Sequence, residues 1–277
     1  MYSYSLGLYE KAFPKETPLR EKFEAAKRCG YDHMEMCIDP EPCRAERINW
    51  TERQVEETRR LAVDTGMKLT TFSLTLLRNY PFGLNDDAMN EKAFDTLKKG
   101  ADIAVGLGAR VMLINGYDIY NGPSTPETRA RFMSNLPKIV EICERTGLMT
   151  GVENAEKEFC YSVRQARAIA DAAPSPYFGI YADMGNSANS VSGDTDASME
   201  DIRSGQGKIF AMHVKDTLPG EYRFTPYGAG HVDFGRAISL AKELRVRLFT
   251  AELFYRPDIA DPEAEALRVC RFIRGYF

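Results

Sequence analysis

From end to end the chain alternates a short β-rich run with a longer amphipathic stretch, and it does so eight times. The runs are "YSLGLYE", "DHMEMCI", "KLTTFSL", "RVMLIN", "MTGVEN", "FGIYAD", "IFAMHV" and "RLFTAE". Helical patterns follow them in turn: Pro18–Cys29, Thr51–Thr65, Met89–Leu107, about Glu127–Thr146, Ser162–Ala172, Ala197–Ser204, Phe234–Leu244 and Pro262–Gly275. Gly30, Gly66, Gly108 and Gly147 close the first four, as helix-ending glycines do, and Thr51-Glu-Arg-Gln has the form of a capping box. Strands that alternate with helices pair in parallel through right-handed crossovers. Eight such units in 277 residues, with no linker and no break in composition, predict one (β/α)8 barrel over residues 1–277. The alternative, a doubly wound open sheet, usually has fewer strands and a glycine-rich loop after the first. Here that turn reads "LYEKAFPKETP" and holds none.

Composition narrows the function classes. There are 36 Lys and Arg against 40 Asp and Glu, a net charge of −4 with no basic run, which argues against a nucleic-acid partner. No apolar stretch approaches the roughly 20 residues that span a bilayer, so no membrane partner is expected. The start "MYSYSLGLYEKAF" lacks the zones of a signal peptide. The six cysteines are scattered singly, which suits reduced thiols and a cytoplasmic location.

In a barrel of this kind the chemistry sits at the C-terminal ends of the strands. Glu153 ends the fifth run, Asp183 the sixth, His213 stands near the end of the seventh, and Glu252 ends the eighth. They are spaced 30, 30 and 39 residues apart, about one strand–helix unit each. Any one of them has a structural explanation: a strand histidine is often a hydrogen-bonded core group, and Asp183 before "MGNSAN" has the look of a helix cap. Four in succession point instead to one divalent ion of the Mn2+, Co2+, Zn2+ or Mg2+ type, with positions left open for substrate. Of the two remaining histidines, His33 alternates with Glu35 in "DHMEM" and is assigned a structural part. His231 lies in a loop and is assigned the same ahead of a substrate contact.

At these residues the sequence also resembles a known family. "LGLYEKA", "YDHMEMCID", "NGYDIYN", "YADMGN", "HVKDTLPGEYRFTPYGAGHVDF" and "AELF" are similar to the xylose isomerase-like barrels, specifically the branch of L-xylulose 5-phosphate (L-ribulose 5-phosphate) 3-epimerases. The resemblance implies the same four ligands, Glu153, Asp183, His213 and Glu252, and a ketose or ketose phosphate as substrate. Asn186 stands where free-ketose 3-epimerases often carry a histidine, which favours the sugar-phosphate branch and makes Asn186 a candidate substrate contact. In "SLTLLRNYPFGLNDD", Leu77 and Asn79 occupy positions that are more polar or charged in the phosphate-handling relatives.

The expected chemistry is C3 epimerisation through a cis-enediolate, with Glu153 and Glu252 as the two acid–base groups on opposite faces of the sugar. Lys215 is a further substrate-site candidate, and Lys11, Arg78 and Arg223, each in a loop after a strand, are candidates for a terminal phosphate. Rival readings are a free-ketose 3-epimerase or an aldose–ketose isomerase on the same ion, and a catalytically dead sugar-binding barrel. Three histidines are too few for a multi-zinc endonuclease site. The aromatic loop "GYDIYNGP" is a candidate cover for the site or a surface for a second subunit in a homo-oligomer.

Overall fold

The computed structural model describes residues 2–277. Its strands are β1 (Ser5–Tyr9), β2 (His33–Ile38), β3 (Thr71–Leu74), β4 (Val111–Asn115), β5 (Met149–Glu153), β6 (Phe178–Asp183), β7 (Ile209–Val214) and β8 (Leu248–Ala251). They pair in chain order, all parallel, and β8 bonds back to β1, closing a (β/α)8 barrel. Among the described residues, no helix is long and apolar enough to cross a membrane.

The helices begin where side chains can take up their free N–H groups. Thr51, Thr125 and Ser162 form capping boxes with Gln54, Thr128 and Gln165. Asp86, Asp194, Asp233 and Asp261 cap four more. The expected helices are found within one to two residues of their predicted limits. Besides the short Pro42–Ala45 helix, a further helix, Met184–Ser190, follows β6 directly. Its Gly, Asn and Ser content hides it from a propensity reading. It forms because Asp183 accepts the Asn186 N–H as its cap and because Met184 and Ala188 are buried.

Strand parity divides the core in two. Leu6, Leu8, Met34, Met36, Phe72, Leu74, Met112, Ile114, Val152, Ile180, Ala182, Met212, Val214, Phe249 and Ala251 belong to one apolar cluster shared with the helices. The alternate positions face the barrel interior, where only Val111, Leu113, Tyr181 and Ala211 form a small apolar group. The rest of that interior is polar: Ser5, His33, Glu35, Thr71 and Thr250 bond to one another or to Tyr181 across the barrel. Gly7 belongs to this set by necessity, since a Cβ there would lie 2.2 Å from His33 Nε2.

A buried ion pair ties the loops at the catalytic rim. Glu10, just after β1, is fully buried and takes two hydrogen bonds from Arg47, at 2.5 and 3.0 Å, and one from the Cys37 N–H at 2.6 Å. Burial alone would raise the Glu10 carboxyl, but Arg47 and Lys22 hold it below its ordinary range. A depressed carboxylate contributes stability above its unfolded pKa of about 4.3 and loses it as pH falls through the folded value. Glu10→Gln should therefore flatten the acid limb of stability, read by denaturant titration between about pH 5 and pH 2. An acid limb as steep as the wild type's would mean that Glu10 does not govern it.

Candidate metal centre and active site

Closure of the barrel gathers the four strand-end residues. Glu153 and Asp183 are the last residues of β5 and β6, His213 is the last but one of β7, and Glu252 follows β8 directly. Parallel register puts Asp183 beside His213 and Asn115 beside Glu153. One ligand atom from each of Glu153, Asp183, His213 and Glu252 lies within 4.8 Å of all the others. From His213 Nδ1 the distances are 2.9 Å to Glu153 Oε1 and 3.8 Å to both Asp183 Oδ2 and Glu252 Oε2.

The donor set fits a divalent ion. Asp183 Oδ2 and Glu252 Oε2 are buried acceptors without a hydrogen-bond partner. Lys215 Nζ stands 2.8 and 2.7 Å from these two oxygens and compensates part of their charge. Buried carboxylates are costly unless cations compensate them, and this cluster gathers three. Three carboxylates and one imidazole nitrogen are the ligand types that hard-to-borderline divalent ions select. Asp183 combines both roles weighed for it from sequence: Oδ1 caps the Met184–Ser190 helix while Oδ2 faces the cluster.

The electrostatics are those of a crowded anionic site. Burial pushes Asp183 up to about 7, partly countered by Lys215 and reinforced by Glu252. Burial also works against ionisation of Glu252, but Lys215 and His213 hold its carboxyl below the usual range. Desolvation would depress His213, yet the carboxylates of Glu35, Glu252 and Glu153 raise it well above an ordinary imidazole. Lys215, 5 % exposed, is raised by Asp183, Glu252 and Glu153 against the cost of burial.

Residues outside the predicted set complete the site. Asn115 Nδ2 donates to Glu153 Oε2 at 2.6 Å and fixes that carboxylate. Beneath the cluster, Glu35 Oε1 lies 2.8 Å from His213 Nε2. Both had a legible signal: Asn115 ends β4 as Glu153 ends β5, and Glu35 is an acid inside an apolar run. His33 is structural as expected, with Nδ1 2.9 Å from Ser5 Oγ and burial lowering it to about 4. His231 bonds Thr217 Oγ1 at 2.9 Å. Asp216 clamps the loop after β7 by accepting the N–H groups of Thr217, Gly228, Gly230 and Val232.

The remaining candidates are distributed around the mouth. Arg223 donates to Glu156 Oε1 at 2.7 Å, and the Tyr117 hydroxyl donates to Glu156 Oε2 at 2.5 Å. Arg78 lies over the rings of Tyr117 and Tyr120, and its Nε is buried without a partner. Glu156 binds Arg223 directly and acts on Arg78 only through longer-range electrostatics, and it is a member that the sequence reading did not single out. The loop carrying Tyr117 and Tyr120 folds over Arg78. Lys11 is elsewhere on the rim, 2.5 Å from Asp39 Oδ2 and over the Tyr9 ring. Asn186 donates from Nδ2 to the Asn154 carbonyl at 2.7 Å and leaves a buried Oδ1 without a partner.

Comparison with known proteins agrees with this architecture. The profile of the xylose isomerase-like TIM barrel family matches residues 23–276. The L-ribulose-5-phosphate 3-epimerase of Shigella flexneri is 32 % identical over 270 residues, covering 98 % of this chain and 94 % of that protein. Its counterpart in Escherichia coli K12 is 34 % identical over 238 residues, 86 % of this chain and 82 % of that one. Among solved structures, D-psicose 3-epimerase of Clostridium cellulolyticum H10 superposes with a TM-score of 0.81 at 13 % identity, covering 98 % and 99 % of the two chains. At that identity the likeness speaks for the fold. Profile, relatives and closed eight-stranded barrel agree, and the chain belongs to the xylose isomerase-like TIM barrel family.

Proposed function

We propose that this isomerase-class enzyme inverts C3 of a ketopentose 5-phosphate of the L-xylulose/L-ribulose type, in one catalytic domain spanning residues 1–277. The observation that carries the reading is the pair of glutamates, Glu153 from β5 and Glu252 from β8, on one cluster with Asp183 and His213. The curated relatives are named as L-ribulose-5-phosphate 3-epimerases, which supports the same reaction here.

Glu153, Asp183, His213 and Glu252 would hold one divalent ion. When bound, it would supply positive charge that stabilises the enediolate as its charge develops. The protein residues do the proton work. One glutamate takes the C3 proton, leaving the electron pair in the enediolate. The other, protonated, returns a proton to C3 from the opposite face, and the two glutamates end with their protonation states exchanged. Asn115 keeps the Glu153 carboxylate in one orientation, which limits the geometries in which it meets C3. Lys215 remains as a cation beside Asp183 and Glu252.

A terminal phosphate would find Arg78 and Arg223 within electrostatic reach of each other, with Arg223 bound to Glu156. Arginine meets phosphate with parallel hydrogen bonds, each contributing about 1.5–3 kcal/mol, or roughly ten- to a hundredfold in affinity. Incubation with pentulose 5-phosphates and free ketoses in D2O, read by position of label, tests the whole reading. Deuterium should enter at C3, and the phosphorylated substrates should be preferred. Arg223→Ala should raise KM for the phosphate ester by roughly ten- to a hundredfold and leave the free sugar nearly unaffected. Label confined to C1 would make the enzyme an aldose–ketose isomerase instead. Equal efficiency of the wild type on free and phosphorylated ketoses would remove the phosphate site.

A further inference from the structure

Glu35 has no place in the proton transfers, yet it is a fully buried carboxylate in the middle of β2, directly beneath the cluster. Burying a carboxylate is costly, and barrel interiors are ordinarily filled with apolar side chains. Besides Thr71 on the neighbouring β3, the partners of the Glu35 carboxylate come from β6, β7 and β8. Oε1 lies 2.8 Å from His213 Nε2 on β7, and Oε2 accepts from the Tyr181 hydroxyl on β6 and from Thr250 Oγ1 on β8 at 3.2 Å. Tyr181 and Thr250 are themselves 3.2 Å apart, so the carboxylate is held at both oxygens.

His213 is thereby gripped from below. Its other nitrogen, Nδ1, is the one that faces Glu153, Asp183 and Glu252. A carboxylate can only accept, so Nε2 carries a hydrogen toward Glu35; Nδ1, 2.9 Å from Glu153 Oε1, carries one by the same rule until an ion in the cluster displaces it and takes the Nδ1 lone pair. The Tyr181 ring, 4.7 Å from the imidazole between centroids, closes one side and restricts rotation.

From this geometry we infer that Glu35 is a positioning residue: it selects the His213 tautomer with hydrogen on Nε2 and aims Nδ1 into the metal cluster. Tyr181 and Thr250 fix Glu35 in turn. A metal-binding imidazole usually makes such a hydrogen bond on its outer nitrogen, and loss of the partner typically weakens metal binding 10–100-fold. The inference rests on the reading of the cluster as a metal site, and it adds a residue 178 positions from the imidazole it orients.

The test reads metal binding and tautomer rather than turnover. Mn2+ and Zn2+ affinities would be measured by competition with a chromophoric chelator for the wild type, Glu35→Gln and Glu35→Leu. Glu35→Leu should weaken binding roughly ten- to a hundredfold. Glu35→Gln, whose amide oxygen can still accept from Nε2, should recover a substantial part of that loss. In parallel, 15N NMR of the zinc-loaded wild type should find the His213 hydrogen on Nε2 and none on Nδ1. That measurement needs no variant, so a Glu35→Leu chain that fails to fold leaves the inference open to refutation. Unchanged affinity in both variants, or zinc on Nε2, overturns it. A wild type that binds neither ion removes the metal reading itself, an outcome separate from normal binding that ignores Glu35.

Discussion

Glu153→Gln and Glu252→Gln should each lower epimerisation of a ketopentose 5-phosphate about 10²- to 10⁴-fold, the range typical of positioned acid–base groups. An amide still presents an oxygen to an ion but cannot take or return a proton. Metal content should therefore change far less than turnover, which separates proton transfer from ligation. The two variants should also differ from each other. With one glutamate intact, one face of C3 can still exchange its hydrogen with solvent, so each variant should wash deuterium into one epimer without converting it. Full turnover by both variants would dismiss the two-glutamate mechanism. The same washout pattern in both would mean that they do not serve opposite faces.

Removing His213 should have an effect of comparable size by a different route. The imidazole offers Nδ1 to the cluster and sits between two buried carboxylates, 2.9 Å from Glu153 and 2.8 Å from Glu35. His213→Ala should cut metal affinity by more than about 10²-fold, since even outer partners of a ligand commonly control 10–100-fold. Loss of one partner of a buried charged pair costs about 3–5 kcal/mol, so the variant should also be less stable. Metal analysis of the folded fraction by atomic absorption distinguishes the two effects. Full occupancy there would show that His213 is not a ligand and that the cluster is held otherwise.

The predicted residues fall into two groups with different physical origins. Glu153, Asp183, His213 and Glu252 converge because each ends a strand, and in a closed parallel barrel all strand ends share one rim. Their common parity, inward along with Glu35, Tyr181 and Thr250, follows from the two-residue period of a strand. The loop candidates have no such rule. Arg223 bonds Glu156 within electrostatic reach of Arg78, whereas Lys11 pairs with Asp39. Asp216, a charged residue in a turn, serves as the clamp of its own loop.

By itself, the order of runs and helical patterns determined the eight-unit barrel and which strands end in metal-competent side chains. Both are local signals, a hydrophobic period and a residue at a strand's end, and the architecture translates them directly into place. Only the tertiary structure decided what lies across the barrel from what. Glu35 meets His213 and Tyr181 because β2 faces β7 and β6 once the sheet closes. The level at which they meet depends on the stagger of all eight strands. Lys215 likewise folds back between Asp183 and Glu252 because its neighbours leave two acceptor oxygens there without partners. No spacing in the chain encodes either contact, since each is set by the sum of every strand's register rather than by the residues on either side.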